Sequence, residues 1–322
     1  MKYLIFLFFV STTTLAQSSK DKTIYLDSLF FPTTKKEFKY YMIVEDYKNT
    51  KPEYFITIYY ASGKIESKGY SKSKDFFKKK GEIISYYENE TIKSTIFFED
   101  NFPNGKCVLY FENGEKKMEG RYLLTTDIGG KRKSKLRIEN AWNIDKLQVV
   151  TDGTGDYEED EFFIVHNNNY YLNSISKGQL KNGYKDGEWK GINTKHNYTF
   201  SEIYKSGDLI SGESVDKNNK KYFYTATVKL PEPNLGFDYF YKHFGDNFNI
   251  PNIEGFKGEI LLYFIINDEG VLINPKVIKS IGNTDDEAIR ALKSYTKGWT
   301  IGQTRGIKNS FPFTFPIKFH SP

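Results

Sequence analysis

A self-similar unit recurs along the first two-thirds of the chain and limits what this region can fold into. Each copy has an aromatic pair, a polar turn and a lysine-bearing run that returns to an apolar or aromatic residue. Three copies are IYYASGKIESKGY (58–70), SYYENETIKSTIF (85–97) and LYFENGEKKMEGRY (109–122). Their spacing of 24 to 27 residues is typical of repeat arrays. One unit cannot bury its apolar face alone, so neighbouring units are expected to stack.

Turn signals between the units favour strands over helices. Asn-Gly and Asp-Gly pairs supply the positive φ angles that tight hairpins need. Within the runs the side chains alternate with period two, so that Ile92, Ser94 and Ile96 share one face. Aromatic residues make up 17% of the chain and proline occurs only ten times, which is typical of a folded, β-rich protein. The sequence therefore predicts a meander of short antiparallel strands.

The repeats carry a recognisable motif. Aromatic-Glu-Asn-Gly occurs in full at Tyr110–Gly114, and it returns at Tyr86–Glu90 with Glu90 in place of the glycine. The units resemble the MORN-type repeats of the form YY-ENG-x-x-x-x-G-x-Y, which are found in exported proteins of Gram-negative bacteria. We predict N-terminal leader strands over residues 17–49 and MORN-like repeats over residues 50–226. The resemblance implies a scaffold or binding surface without naming a ligand.

The N-terminus has the pattern of a secretory signal. Lys2 precedes an apolar run, Tyr3–Val10, and small residues lead to Ala16, so residues 1–16 are predicted to be a signal peptide cleaved after Ala16. The apolar run is far shorter than the about 20 residues of a membrane-spanning helix. No cysteine follows that would accept a lipid anchor. We expect a soluble periplasmic protein, with secretion or association with the outer membrane as alternatives.

The charge of the chain excludes one class of partner. A net charge of +5 is too small to indicate nucleic-acid binding. Two basic clusters, Lys78–Lys80 and Lys131–Lys133, could contact acidic envelope polymers such as the cell wall. Runs of this kind more often lie solvated at strand edges, where they discourage aggregation, and that interpretation is favoured.

Residues able to do chemistry are sparse. The four histidines are scattered, and the single cysteine, Cys107, lies in a strand-like run and is predicted to be buried. The acidic stretch 151–161 could bind calcium through Asp152, Asp156 and Glu158. It lacks the spacing of a calcium-binding loop, so an acidic surface turn is favoured. We predict no catalytic residue, no metal site and no cofactor.

The composition changes after residue 226. A proline-bearing linker is predicted over residues 227–236, followed by a C-terminal domain over residues 237–322. Five aromatic residues at helical spacing predict an amphipathic helix that ends before Pro251: they are Phe237, Phe240, Tyr241, Phe244 and Phe248. Two apolar runs flank Asn267–Gly270 within residues 258–280, which predicts a hairpin.

A second helix and a last strand follow the hairpin. Thr284 begins a capping-box pattern. The apolar stripe of this helix consists of Ile289, Leu292, Tyr295 and Trp299, and Gly298 is predicted to end the helix. Residues 310–319, SFPFTFPIKF, alternate strictly between phenylalanine or isoleucine and other residues, as a half-buried strand does. The predicted fold class is β-rich plus α+β, in which a meander precedes a small domain of helix, hairpin, helix and edge strand.

The order of these elements and their sequence marks resemble the C-terminal domain of TonB, the periplasmic energy transducer, over about residues 235–322. The matching marks are Gly258, Asn267–Gly270, Pro275–Val277, Asp286–Ala288, Trp299, Gly302, Gly306 and Phe315–Phe319. In that family the last strand captures an extended peptide of an outer-membrane receptor by strand addition. The resemblance therefore implies the same kind of binding for this chain.

The last strand contains the predicted binding residues. Pro312 and Pro316 lie an even number of positions apart, so both would lack a backbone N–H group on the same side of the strand. This predicts an edge strand. The predicted peptide-binding edge consists of Ser310, Pro312, Thr314, Pro316 and Lys318, of which the three non-proline residues keep an N–H group. If the proline side faced the sheet instead, peptide binding would be weaker than the resemblance implies.

The chain departs from an energy transducer in two respects. It has neither an uncleaved membrane helix nor a long proline-rich spacer, so we expect a TonB-like binding module without the energised anchor. The predicted function is a non-enzymatic periplasmic protein-binding module linked to outer-membrane transport. Its partner would be an outer-membrane receptor or another envelope protein. The alternative is an envelope scaffold that binds cell-wall polymer or associates with itself.

Overall fold

The computed structural model of the chain describes residues 20–28, 30–33, 35–126, 130, 132–165, 168–250 and 258–319. The predicted signal peptide, residues 1–16, lies outside the described residues. Within them, sixteen consecutive strands form one antiparallel sheet in which each strand pairs with its neighbours in sequence. The prediction of a β-rich protein with a long antiparallel meander is confirmed.

The strands of the meander are short near its N-terminal end and longer in the middle. Their bounds are β1 (Lys22–Leu26), β2 (Tyr40–Val44), β3 (Tyr54–Tyr60), β4 (Ile65–Ser71), β5 (Lys79–Tyr86), β6 (Ile92–Glu99), β7 (Phe102–Tyr110), β8 (Lys116–Thr126), β9 (Arg132–Trp142), β10 (Gln148–Thr151), β11 (Thr154–Val165), β12 (Asn168–Lys181), β13 (Tyr184–Asn193), β14 (Tyr198–Lys205), β15 (Asp208–Val215) and β16 (Lys221–Tyr224). β2 pairs with both β1 and β3. The predicted leader strands therefore belong to the same sheet as the repeats.

Glycines of the repeats allow neighbouring strands to approach closely. Gly120 lies opposite Ile138 of β9, and a Cβ atom at Gly120 would overlap the carbonyl oxygen of Arg137. Gly178 has the same relation to the indole ring of Trp189, which is fully buried. The glycine that closes the third repeat copy, Gly120, is thus required by packing.

Hairpin turns in the middle of the meander stack on one another. The N–H of Gly153 donates to the carbonyl of Glu139 (2.7 Å), the N–H of Gly183 to that of Gly153 (2.8 Å), and the N–H of Ile138 to that of Gly183 (3.0 Å). This stacking brings distant strands over one apolar cluster. Its buried members are Cys107, Met118, Tyr122, Ile138, Ala141, Val150, Tyr157, Leu180 and Trp189.

The C-terminal region begins within the segment predicted as a linker. Its elements are β17 (Val228–Lys229), α1 (Gly236–Asn247), β18 (Gly258–Ile266), β19 (Leu272–Lys279), α2 (Asp285–Lys293), β20 (Gln303–Thr304), β21 (Ile307–Lys308) and β22 (Phe311–Phe319). Among the described residues they form two three-stranded sheets, ordered β17-β20-β21 and β19-β18-β22. The predicted sequence of helix, hairpin, helix and strand is present, with one extra short hairpin before the last strand.

α1 ends at Asn247, before Pro251 as predicted, whereas α2 is shorter than predicted. It ends at Lys293, several residues before Gly298. The N–H of Asn234 donates to the carbonyl of Gly298 (3.1 Å), and Trp299 forms a β-bridge with Pro233. These strand-like contacts replace the last turn of the predicted helix.

The predicted capping box of α2 is wrong in its hydrogen bonds. Thr284 stands at the N-cap position, but its side chain makes no cap hydrogen bond. Its Oγ1 donates instead to the carbonyl of Ile281 (2.9 Å). Thr284 is almost fully buried, so this bond satisfies its hydroxyl group away from the helix terminus.

Candidate functional site

β22 is an edge strand of the C-terminal sheet. It pairs with β18 alone in the strand order β19-β18-β22, in one uninterrupted register from Phe311 opposite Ile266 to Phe319 opposite Gly258. Phe311, Phe313 and Phe315 are buried in the C-terminal core. The core thus fixes one face of β22, while its second edge has no strand partner among the described residues.

The two prolines show which way the backbone of β22 faces. Pro312 lies opposite Ile265 and Pro316 opposite Leu261 within the unbroken ladder. Since proline has no N–H group, it keeps its place in such a ladder only where its nitrogen points away from the partner strand. The backbone groups of residues 312, 314, 316 and 318 therefore point to the open edge, which is the more favourable of the two alternatives left by the sequence.

The structure places four of the five predicted residues along this edge. Pro312 and Thr314 are half-buried, whereas Pro316 and Lys318 are exposed. Ser310 lies just before the strand, and its N–H donates to Oδ1 of Asn309 (2.9 Å). Ser310 is therefore not an edge donor, and only Thr314 and Lys318 offer N–H groups there.

The C-terminal sheet has one face on its own core, and its other face packs against the N-terminal part of the meander. The ring of Tyr263 on β18 lies 5.0 Å from that of Phe31. On β19, the ammonium of Lys276 lies 3.4 Å from a carboxylate oxygen of Asp27, and that of Lys279 lies 3.2 Å from one of Asp75. We call these contacts the N-terminal clasp.

The charges of the N-terminal clasp stabilise each other. Burial opposes ionisation of Asp75, but the hydrogen bond from Tyr47 (2.7 Å) and the charge of Lys279 outweigh it and hold the pKa of Asp75 below its usual value. Burial likewise lowers the pKa of Lys279, but the carboxylates of Asp75 and Glu259 outweigh it and raise that pKa. Both shifts favour the charged pair at neutral pH.

The ion pair of the N-terminal clasp should make the stability difference between wild type and Asp75→Asn depend on pH. At pH 7 we expect Asp75→Asn to lower the free energy of unfolding by no more than about 1 kcal/mol, because the pair is partly exposed to solvent. A carboxyl group with a depressed pKa contributes stability above its unfolded-state pKa and loses it as the pH falls through the folded-state value. The difference between wild type and variant should therefore begin to shrink once the pH falls below the ordinary aspartate pKa of about 3.9. It should vanish only when Asp75 is protonated in the folded state.

Urea titrations at pH 7 and at a series of lower pH values measure this difference. Asp145→Asn is the control, since Asp145 is exposed on a turn of the meander, far along the chain from the clasp. A penalty for Asp75→Asn that persists unchanged in acid would contradict the assigned ion pair.

Arg305 fixes the C-terminal region to the other end of the meander. Its side chain is 1% exposed and pairs with Glu202 of β14, which is 0% exposed, at 2.8 Å. The guanidinium carbon lies 3.5 Å from the ring centroid of Phe200, and Ser214 Oγ donates to the backbone carbonyl of Arg305 (2.5 Å). We call this buried contact the Arg305 latch.

The Glu202 carboxylate is fully supported by donors. Tyr204 and Tyr224 each donate a hydroxyl hydrogen bond to it, both at 2.9 Å. Burial, and then the nearby Glu202 charge, raise the pKa of Tyr224. The buried carboxylate is thus matched by two phenol donors and one arginine, as a buried charge requires.

The sequence contains only a weak signal for this latch. Arg305 and Gly306 form the turn between β20 and β21 with φ angles of 51° and 77°. Asparagine, aspartate and glycine are the usual residues of such a turn, so an arginine there is unusual. Its partner, Glu202, lies 103 residues earlier in the chain, and no local pattern connects the two.

In the part of the chain that the structure describes, groups that commonly carry out chemistry are not assembled into a site. Cys107 is fully buried, and burial raises the pKa of its thiol to about 12. His243 Nε2 lies 3.0 Å from Ser294 Oγ, on the side of α1 that faces α2. His166 lies outside the described residues. Within them, no group of three His, Cys, Asp or Glu residues is placed to hold a metal ion.

Comparison with known proteins adds no assignment. No protein-family model matches the chain, and no curated protein matches it. In the described part of the chain, no helix combines the length and apolar character needed to cross a membrane.

Proposed function

We propose that the chain is a non-enzymatic protein-binding module of the bacterial periplasm that captures an extended peptide on the open edge of β22. The proposed partner is an outer-membrane receptor or another envelope protein, in a process linked to outer-membrane transport. The resemblance of the C-terminal sequence to the TonB domain supports this proposal. The single observation that carries it is the long, regular second edge of β22, along which no strand pairs in the described part of the chain.

The other strand edges of the described chain are less suited to binding. β1 has five residues, and the N–H of Thr33 already donates to the carbonyl of Tyr25 (2.8 Å) along it. β16 has only four residues, and β17 and β21, the edges of the other small sheet, have two each. β19 has two register shifts against β18 and takes part in the N-terminal clasp. Short or irregular edges are the usual protection against unwanted pairing. β22 differs from these strands because its edge is both long and regular.

The prolines limit what the edge of β22 accepts. The carbonyls of residues 312, 314, 316 and 318 can all accept hydrogen bonds, whereas only Thr314 and Lys318 can donate. A single peptide strand would thus gain up to six hydrogen bonds, roughly one for each edge group. The two missing donors make the edge a poor template for an extended sheet, which protects the protein from aggregation.

Substitutions on the edge give opposite expected effects on binding. Thr314→Pro removes a donor and should weaken peptide binding about tenfold, because a lost hydrogen bond costs about 1.5 kcal/mol. Pro316→Ala adds a donor and should strengthen binding about threefold or more. Both substitutions are compatible with the fold, because these positions point away from β18.

The measurement uses peptides selected from a random 12-residue display library against the full chain. Fluorescence anisotropy of the selected synthetic peptides then gives Kd for wild type and variants, with Lys308→Ala as a control that lies in the same region outside the edge. Selection of no peptide, or equal Kd for wild type and Thr314→Pro, would contradict strand addition.

A further inference from the structure

α1 leaves two aromatic side chains exposed beside the edge strand. Phe240, Phe244 and Phe248 are buried, as their spacing predicts, but Phe237 and Tyr241 remain 37% and 49% exposed. The ring centroid of Tyr241 lies 5.0 Å from that of Phe315 on β22 and 6.4 Å from that of Phe237. The predicted stripe of five aromatic residues is thus divided between the core and the surface.

The two exposed rings lie on the side of α1 that faces away from α2. On the other side, Tyr239 packs at 6.4 Å from Tyr295, and His243 contacts Ser294. α2 itself packs against β19 and β18. β22 is at the other end of the sheet, and Tyr241, which contacts Phe315, lies next to it. Phe237 lies between Tyr241 and Trp299, whose ring is 6.1 Å away.

The spacing along this side of α1 fits an extended strand. Residues four apart in a helix advance by about 6.0 Å, and same-face residues in a strand are about 6.6 to 6.8 Å apart. Phe237, Tyr241 and Gly245 follow each other at this helical interval. Apart from the helix's own backbone and the adjoining residues, no atom of the described chain lies within 4 Å of the position that a Cβ atom would take at Gly245. There is thus room for a ligand side chain.

A strand added to β22 would place alternate side chains over these residues. Odd-numbered residues of β22, such as Phe313 and Phe315, face α1 and the core, and paired residues in neighbouring strands point to the same face. Peptide residues opposite Phe313, Phe315 and Ile317 would therefore point towards α1. Those opposite Thr314 and Lys318 would point to the other face, where Lys318 is exposed.

We propose that Phe237, Tyr241 and the open space at Gly245 form a groove that selects the peptide bound to β22. The ligand is an extended segment with apolar side chains at three alternate positions, and with polar or acidic side chains between them. The aromatic surface beside the open edge favours the apolar side chains. The positive charge of Lys318 favours the polar or acidic side chains between them. This inference rests on the proposed strand addition and adds which side chains the bound peptide must carry.

The test compares two tyrosines of similar exposure on opposite sides of α1. Tyr241→Ala should weaken binding of the library-selected peptides about fivefold or more, as loss of an aromatic contact does. Tyr239→Ala removes a tyrosine that is 41% exposed but faces α2, and it should change Kd less than twofold. Gly245→Leu fills the groove without disturbing the helix and should also weaken binding. Replacing one alternate apolar residue of a selected peptide by serine should have the same effect.

The outcomes separate the two proposals. If Thr314→Pro weakens binding but the Tyr241 and Tyr239 variants behave alike and Gly245→Leu binds normally, the groove is overturned and strand addition stands. If no peptide is selected, or if Thr314→Pro has no effect, strand addition itself fails. Circular dichroism of each variant confirms that a change in binding does not arise from unfolding.

Discussion

Replacing Arg305 by alanine is expected to lower the free energy of unfolding by about 3 to 5 kcal/mol, because it leaves a buried carboxylate without its cation. Glu202 is 0% exposed and its oxygens face Arg305, Tyr204 and Tyr224. The two phenols alone cannot compensate a full negative charge. Urea denaturation followed by tryptophan fluorescence measures the loss.

Three further variants show whether this loss comes from the buried pair. Arg305→Lys keeps the charge but not the forked hydrogen bonds or the contact with Phe200, so an intermediate loss is expected. Arg305→Met combined with Glu202→Leu removes both charges and should recover much of the stability. Arg121→Ala breaks an exposed pair with Glu139 and should cost about 0 to 1 kcal/mol. An Arg305→Ala loss no larger than that of Arg121→Ala would contradict the latch.

Replacing Gly120 by alanine is expected to lower the free energy of unfolding by about 1 to 3 kcal/mol. The added methyl group would overlap the carbonyl oxygen of Arg137 and lie 3.0 Å from Ile138 Cα. Because these are backbone atoms, relief requires β8 and β9 to move apart, which strains the ladder between them. The loss should appear in the same urea titration.

Gly245→Ala provides the matched control for Gly120→Ala. Gly245 lies within α1, where a Cβ atom would meet no described atom within 4 Å beyond the helix's own backbone and the adjoining residues. Alanine favours a helix over glycine by about 1 kcal/mol. This variant should be as stable as wild type or more stable. If Gly120→Ala and Gly245→Ala had the same effect on stability, the close approach of β8 and β9 would not explain why the repeat has a glycine at position 120.

Local sequence patterns predict most of the secondary structure of this chain. The repeats predict the meander because turn residues and period-two alternation both act over a few residues. Asn267–Gly270 predicts the hairpin of β18 and β19, where Asn267 Oδ1 accepts from the N–H of Val271 (2.8 Å). The C-terminal end of α2 could not be predicted in this way. It depends on contacts of Gly298 and Trp299 with the distant residues Asn234 and Pro233.

The candidate site is predictable only in part, for the same physical reason. The shared parity of Pro312 and Pro316 predicts an edge strand from the chemistry of proline alone. Helical spacing cannot tell which aromatic residues of α1 face the core, so Phe237 and Tyr241 were not distinguished from their buried neighbours. The Arg305 latch depends on a partner more than a hundred residues away in sequence, which local patterns do not specify.

The most direct test of the central proposal is site-specific photo-crosslinking in cells from position 318, which is exposed on the open edge of β22. We expect a probe there to capture one short segment of an envelope protein, identified by mass spectrometry, and to lose it when Thr314→Pro is added. The same probe at position 308, also exposed but outside the edge, should not capture that segment. Capture of cell wall or of a second copy, or capture that Thr314→Pro leaves unchanged, would contradict peptide binding on β22 and favour an envelope scaffold.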